Sequence, residues 1–181
     1  KNSKSIEGVP LPPEGIVFKH RNVKESIRQG IANVDCVRAS GADVEDGLIL
    51  DIGCGNGWMS AALATDGHHV VALDAHLAEL EQAARVFADR AVTWCLGDPR
   101  TVPFPEARFD VIVFAASLQY FPDPADLFRH ITKFLVPEGR VHVLDTILYD
   151  GPEARTLASE RSAVYFRSLG APEMSAHYHA H

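Results

Sequence analysis

The stretch that decides the fold reads Leu48-Ile49-Leu50-Asp51-Ile52-Gly53-Cys54-Gly55-Asn56-Gly57-Trp58. Its first five residues are apolar apart from Asp51, which is typical of a strand buried on both faces of a parallel sheet. Three glycines then follow at alternate positions, and residues 59–65 are compatible with a helix. Glycine has no Cβ, so the loop can take positive φ and let a ligand approach the backbone near a helix N-terminus. The stretch predicts a strand, a ligand-binding loop and a helix.

A second acidic residue supports a ligand at this loop. Residues 69–74 read as another buried strand, and Asp74 ends it roughly twenty residues after the glycines, where a carboxylate can accept hydrogen bonds from ribose hydroxyls. No arginine stands beside Asp74, so a 2′-phosphate is not expected. A glycine loop alone is a weak signal, and a crowded turn without a ligand is the alternative.

Composition indicates an ordinary globular chain. The 181 residues are 46% hydrophobic and 23% charged, which suits a single domain with a sizeable core. The net charge of −7 argues against nucleic acid or an anionic membrane as the main partner. Cys36, Cys54 and Cys95 are widely spaced, without a CxxC, so we expect neither disulfides nor a zinc site. With no basic-then-apolar leader and no long apolar run, the sequence predicts a cytoplasmic protein.

The first forty residues read as an arm followed by a cap helix. Residues 1–20 are rich in glycine and proline, a composition that blocks regular structure. Residues 22–39 show apolar positions at helical spacing, and a helix there could roof a pocket. His20, at the joint, could touch a ligand from above; a solvated basic turn is the alternative.

Three more strands and three more helices complete the predicted pattern. The strands cover residues 91–96, 109–114 and 140–145, and the helices cover residues 77–88, 126–134 and 153–169. Strands that alternate with helices in this way form a parallel sheet whose ligands lie outside the carboxyl ends of the strands. Five residues fall at those ends, namely Asp51, Asp74, Asp98, Ala115 and Asp145. Four acids along one edge favour a binding site.

At this point the ordered motifs resemble class I S-adenosylmethionine-dependent methyltransferases of the small-molecule type. The resemblance covers residues 45–147 and implies a Rossmann-like doubly wound parallel sheet within one domain over 1–181. The motifs are Asp51-x-Gly53-x-Gly55-x-Gly57, the acid Asp74, Gly97-Asp98-Pro99, Phe109-Asp110-Val111-Ile112-Val113 with Leu118-x-Tyr120-Phe121-x-Asp123-Pro124, and Leu135-Val136-Pro137-Glu138-Gly139-Arg140.

The resemblance implies a set of contacts with the methionine part of S-adenosyl-L-methionine. Gly53, Cys54 and Gly55 would lie against it, and Asp51 would assist there, directly or through water. Ala115 would offer its carbonyl to the cofactor's ammonium.

The resemblance also implies contacts with the adenosine. Asp74 would hold both ribose hydroxyls, with Ala75 and His76 beside the adenosine. Asp98 would accept a hydrogen bond from the adenine amino group, and the backbone at Pro99 or its neighbour would lie against the ring.

The acceptor side is less determined by the sequence. The sulfonium methyl is already activated, so positioning supplies most of the acceleration and a base is needed only if the acceptor must lose a proton. Tyr120, His20 and His177 are candidates for a substrate pocket, although Tyr120 could equally be a core aromatic. His177 alternates with two further histidines, and in a strand the three would share a face, but we expect no metal there.

One departure from the family pattern concerns the end of the chain. Family members usually have two more strands, and here residues 152–181 supply only a helix and the start of a substrate region. Either the natural protein continues past His181, or a shortened domain covers its sheet edge with a partner, which leaves a homo-oligomer open. Residues 115–117 are Ala-Ala-Ser, not the Asn/Asp-Pro-Pro-Tyr of amino-methylating nucleic-acid enzymes.

Two alternatives remain from the sequence. A nicotinamide-dependent dehydrogenase would share the loop and Asp74, but its third glycine is expected at Trp58, and it has no reason for Gly97-Asp98-Pro99. A non-catalytic cofactor-binding or scaffold protein would keep the acids and lack an acceptor pocket. The sequence leaves the methyl acceptor open.

Overall fold

A computed structural model describes residues 5–6, 9–10, 47–65 and 67–181. Strands β1 (Ser5–Ile6) and β2 (Val9–Pro10) form a short antiparallel pair. The prediction that the glycine- and proline-rich start has no regular structure is wrong for these four residues. Pro10 lies at the end of its strand, where its missing N–H costs little. The predicted helix over 22–39, which contains Cys36, lies outside the described residues. His20, which precedes it, does so too.

The main sheet has five parallel strands within the described residues, in the order β5-β4-β3-β6-β7. They are β3 (Leu48–Ile52), β4 (His69–Asp74), β5 (Val92–Leu96), β6 (Phe109–Ala115) and β7 (Leu135–Leu144). The predicted α/β fold of the Rossmann type is confirmed. The chain builds outward from β3 to β5 and then returns to the other side of β3, so the strand order reverses between β3 and β6. That reversal opens the crevice in which such sheets bind ligands.

Four α-helices accompany the strands in the described residues. They are α1 (Trp58–Ala64), α2 (Leu77–Val86), α3 (Pro124–Ile131) and α4 (Gly151–Ser168). Short 3₁₀ segments cover Leu118–Tyr120, Thr132–Phe134 and Pro172–His177. Helix α3 begins two residues earlier than the sequence predicts, because the side chain of Asp123 accepts a hydrogen bond from the N–H of Asp126 and Pro124 stands in the first turn. None of these helices is both long and apolar enough for a membrane crossing.

Strand β7 begins earlier than the sequence predicts. Phe109 pairs with Leu135, and the next registered pair joins Val111 to Arg140, so the turn over residues 136–139 bulges out of the ladder. Glu138 has a φ of 67°, in the left-handed region that a sharp turn requires. The Pro137-Glu138-Gly139 segment therefore interrupts β7, whereas the predicted strand over 140–145 begins only after this segment.

The core lies around the central strands β3 and β6. Ile49, Leu50 and Ile52 of β3 are almost fully buried, as are Ile112 and Phe114 of β6. Each such side chain contributes about 1.5–3 kcal/mol relative to an exposed position. The unbroken apolar runs that predicted these strands are thus explained, because both faces of the central strands are covered.

The described residues fall into two compact units. One holds residues 47–118 and 123–144, with the five-stranded sheet. The other holds the β1–β2 pair and residues 119–122 and 145–181. Within this second unit, the N–H of His179 donates to the carbonyl of Gln119 at 2.7 Å, and the N–H of Tyr149 donates to the carbonyl of His181. A single methyltransferase domain over 1–181 stays a prediction.

Candidate functional site

The glycine loop has the backbone that the sequence predicts. Gly53, Gly55 and Gly57 have φ values of 75°, 53° and 75°. The N–H groups of Gly53 and Cys54 both donate to the carbonyl of Leu73, at 2.8 and 3.2 Å. The loop is therefore anchored to the carboxyl end of β4, beside the strand that it follows.

Two of the three glycines are also required by side-chain packing. A Cβ on Gly53 would lie 2.5 Å from the Cβ of Ser117, and one on Gly57 would lie 2.4 Å from the ring of Trp94. Gly55 differs, because the only close atom from the described residues is a carboxylate oxygen of Glu79, at the flexible end of a side chain. Sequence reasoning missed these packing roles, because the partner side chains come from other strands and loops.

Asp51 is a buried acid with one unsatisfied oxygen. It is 1% exposed, and its Oδ2 accepts a hydrogen bond of 2.6 Å from the hydroxyl of Ser60. Its Oδ1 is buried and has no hydrogen-bond donor among the described residues. Burial raises the pKa of Asp51 to about 6, against the lowering effect of Ser60, and the charge of Asp74 raises it further. Such an oxygen suits a cationic or N–H group of a ligand.

Asp74 clamps the glycine loop as well as ending β4. Its Oδ2 accepts from the N–H of Gly55 and its Oδ1 accepts from the N–H of His76, each at 2.8 Å. A carboxylate has about four acceptor positions, so two remain for a ligand. Ala75 and His76 are exposed beside it, and the carbonyl of His76 accepts the N–H of Leu80 in the first turn of α2.

Asp98 lies on the same edge of the sheet as Asp74. The N–H of Gly97 donates to the carbonyl of Asp74 at 2.9 Å, which ties the ends of β4 and β5 together. Pro99 is buried. The side chain of Asp98 is held by Arg100, whose guanidinium lowers the pKa of that carboxyl. Arg100 was missed by sequence reasoning, although the Asp-Pro-Arg order was the available signal.

The end of β6 turns sharply away from the sheet. Ala116 has a φ of 53°, which costs a residue with a Cβ about 1–2 kcal/mol, and its N–H donates to the carbonyl of Leu144 at 2.9 Å. The buried hydroxyl of Ser117 donates to the carbonyl of Ile52 at 2.6 Å. These bonds fix Ala115 at the edge of the sheet next to the end of β3.

Cys54 lies in the loop, and its thiol is unreactive. Burial raises the pKa of its thiol well above the ordinary range, and the negative charges of Asp51 and Asp74 act in the same direction. Cys54 and Cys95 are both free thiols. The thiol of Cys54 is therefore uncharged, and it lines the loop without reacting.

The ten residues predicted to bind the cofactor all lie in the unit that holds the sheet. They come from the carboxyl ends of β3, β4, β5 and β6 and the residues that follow, and they are Asp51, Gly53, Cys54, Gly55, Asp74, Ala75, His76, Asp98, Pro99 and Ala115. That these residues bind a cofactor stays a prediction.

The candidates for the acceptor pocket lie elsewhere. Tyr120 is 50% exposed and meets the ring of Tyr178 edge-on at 5.9 Å, in the second unit. His177 ends a 3₁₀ segment and residues 178–181 form no strand, so the condition under which the C-terminal histidines would share a face is not met. Across the residues that the structure describes, no group of three or more His, Cys, Asp or Glu side chains is arranged to hold a metal. His20 lies outside the described residues.

Comparison with known proteins assigns the part of the chain that holds the sheet to a family. The model described as "Methyltransferase domain" matches residues 50–143, which is more than half of the chain. The chain is 32% identical over 135 residues to the biotin biosynthesis bifunctional protein BioHC of Cellvibrio japonicus, covering 68% of this chain and 27% of that protein. It is 29% identical to the 27-O-demethylrifamycin SV methyltransferase of Amycolatopsis mediterranei, covering 74% of this chain and 51% of that protein.

A solved structure gives the same result for the fold. The S-adenosylmethionine-dependent methyltransferase of Mesorhizobium loti superposes with a TM-score of 0.54 at 30% identity, over 59% of this chain and 50% of that one. The chain spans about half or less of the length of these relatives.

Proposed function

The chain belongs to the class I S-adenosylmethionine-dependent methyltransferases, and from this premise we propose that it transfers the methyl group of S-adenosyl-L-methionine to a small-molecule acceptor. The observation that carries the proposal is the buried oxygen of Asp51, which has no donor among the described residues and lies two residues before Gly53, where the glycine loop begins. A buried acceptor of this kind is expensive unless something supplies a donor or a positive charge. The family's cofactor carries both an ammonium and a sulfonium.

We assign the methionine part of the cofactor to the loop side of the edge. Gly53, Cys54 and Gly55 would line it, and Gly55 has the most open Cβ position of the three loop glycines. Asp51 would hold the positive charge, and Ala115 would offer its carbonyl to the ammonium. This donor and acceptor set fits the group.

We assign the adenosine to the two acids that follow. Asp74 has acceptor positions left for the ribose hydroxyls after it has bound two backbone N–H groups. Asp98, tied to the same edge, would accept from the adenine amino group, with Pro99 against the ring. Ala75 and His76 would lie beside the adenosine.

The cofactor supplies an activated methyl group, and the chain's residues supply its position. The carboxylates and the loop hold the donor in one orientation, so that the lone pair of an acceptor can be aligned with the methyl and water can be excluded. A general base is needed only for an acceptor that must lose a proton. The relatives named for biotin biosynthesis and for a rifamycin support a small molecule as the acceptor. Tyr120, His20 and His177 are proposed to contact it.

We infer the setting of the protein from its composition. The net charge of −7 disfavours nucleic acid and anionic membranes as partners. Three widely spaced cysteines favour the reducing cytoplasm, without a structural metal. Light scattering of the purified chain measures directly whether it forms a homo-oligomer.

Calorimetric titration with S-adenosylhomocysteine tests the binding step. We expect binding, with little or none of NADH, and a weaker complex for Asp74→Asn. Asp110→Asn is the matched control, because Asp110 is another partly buried aspartate whose Oδ2 accepts a backbone N–H, from Leu48 at 2.9 Å, at the start of its strand. An equal loss in both variants, or tight binding of NADH alone, would contradict the assignment.

Mass spectrometry tests the transfer step. Small-molecule extract is incubated with the chain and a cofactor whose methyl group carries a heavy isotope. We expect a labelled small molecule that is not formed by Asp74→Asn. Cofactor binding without any labelled product would favour a non-catalytic binding protein.

A further inference from the structure

Asp98 is held more completely than an exposed acid usually is. The N–H and the Nε–H of Arg100 both donate to Oδ1 of Asp98 at 2.8 Å. The Nη2 of the same arginine donates to Oδ2. One residue therefore supplies three donors to one carboxylate, through its backbone and through both sides of the guanidinium fork.

The turn that carries the two residues is itself fixed. The carbonyl of Asp98 accepts the N–H groups of Thr101 and Val102, at 2.9 and 3.0 Å. Pro99, between the two partners, is buried, and a Cβ on Gly97 would lie 2.4 Å from a methyl group of Val102. The backbone of Arg100 is thus held in one conformation, and this fixes the position from which its guanidinium binds Asp98.

The carboxylate of Asp98 has few acceptor positions left for a ligand. A carboxylate offers about four, and Arg100 occupies three. Counted over the described residues, one position remains, on Oδ2. The same guanidinium keeps the carboxyl ionised, since it lowers the pKa of Asp98. The group left for a ligand is therefore a single fixed acceptor that cannot act as a donor.

We propose that Arg100 is a positioning residue, which aims the remaining acceptor of Asp98 at the base of the cofactor and makes the site select a 6-amino purine over a 6-oxo purine. A 6-amino group donates a hydrogen bond to this acceptor. A 6-oxo group presents a second acceptor and is repelled. The inference rests on the proposed function, because it takes Asp98 as the contact of the adenine.

The ion pair is suited to a clean test by mutation. Both side chains are partly exposed, and such pairs contribute little to folding, so variants of Arg100 should fold. Arg129 is the matched control, because it forms another exposed ion pair with a nearby aspartate, Asp126, at 2.9 Å. Arg100→Lys keeps the charge but loses the planar fork.

The experiment compares two ligands by calorimetry on the whole chain. S-adenosylhomocysteine carries the 6-amino group, and S-inosylhomocysteine carries a 6-oxo group and a protonated N1 on the same sugar and homocysteine. For the wild-type chain we expect the amino ligand to bind tighter by on the order of tenfold or more. In Arg100→Gln the ratio of the two dissociation constants should fall by about fivefold, with partial recovery in Arg100→Lys. Arg129→Gln should leave the ratio unchanged.

The outcomes separate this inference from the function on which it rests. If the wild-type chain binds neither ligand, the proposed function fails and the inference fails with it. If the wild-type chain discriminates and Arg100→Gln keeps the same ratio, or weakens both ligands equally, only the inference is overturned. A tighter complex with S-adenosylhomocysteine in Arg100→Gln would also overturn it, because Arg100 would then compete with the base for Asp98.

Discussion

Cofactor binding should depend on pH through Asp51. The folded protein raises the pKa of this carboxyl from 3.8 to about 6, mainly because the group is buried. A raised pKa means that the folded state favours the protonated form. The associated stability is fully present below pH 3.8 and is lost as the pH rises through 6, and the difference corresponds to about 3 kcal/mol. A cation placed at Oδ1 would offset the cost of ionising the buried Asp51. We therefore expect the cationic ligand to bind the ionised form of Asp51.

The size of the effect follows from the same pKa. With a pKa of about 6, roughly a tenth of the chains have an ionised Asp51 at pH 5 and roughly nine-tenths at pH 7. The apparent dissociation constant scales inversely with the competent fraction, so the affinity for S-adenosylhomocysteine should be about tenfold weaker at pH 5. Its ammonium is charged throughout this range. The midpoint of the change should lie near pH 6.

Calorimetry at pH 5, 6 and 7 measures the effect, and repeating it in buffers of different ionisation enthalpy counts the protons released. Asp51→Asn should bind more weakly at pH 7 and lose the dependence between pH 5 and pH 7. Ser60→Ala removes the hydrogen bond to Oδ2 and should move the midpoint upward. The same affinity at pH 5 and pH 7, or the same dependence in Asp51→Asn, would refute the reasoning.

Three further predictions follow from the loop and from a helix start. Gly57→Ala should lower the free energy of unfolding by about 2–4 kcal/mol in urea titration. The new Cβ would clash with the Trp94 ring, and the backbone φ of 75° at this position disfavours a residue with a Cβ. Gly67→Ala, where no atom of the described residues lies within 4 Å of the new Cβ and φ is 89°, should cost only about 1 kcal/mol, and equal losses would show that the indole contact is unimportant. Cys54 should resist iodoacetamide at pH 8 in the folded chain and react fully in urea, as read by peptide mass; rapid folded-state labelling would contradict the raised pKa of its thiol. Asp123→Ala should cost about 1 kcal/mol through loss of the side-chain acceptor at the start of α3, and no change in urea midpoint would argue against that cap.

The sheet could be predicted from the sequence because its signals are local. The apolar runs of β3 and β6 are buried on both faces, the glycine loop directly follows β3, and Asp74 is the last residue of β4. The extent of β7 could not be predicted, because Leu135 joins the ladder through a bulge that only its neighbour β6 determines.

The positions of the candidate site residues at the strand ends could be predicted, but not the contacts that hold their side chains. Asp74 and Asp98 come to one edge because their strands are parallel neighbours. Nothing in the local sequence gives the hydrogen bond from Gly55 to Asp74, or the packing of Trp94 on Gly57. These contacts join segments far apart in the chain, and short sequence patterns do not report on them.

The most direct test of the central claim is a crystal structure of the chain with S-adenosylhomocysteine. We expect the ribose hydroxyls within hydrogen-bond distance of Asp74, the adenine amino group within that distance of Asp98, and the ammonium near Asp51. A ligand bound away from the glycine loop, or an adenosine that contacts neither Asp74 nor Asp98, would contradict it.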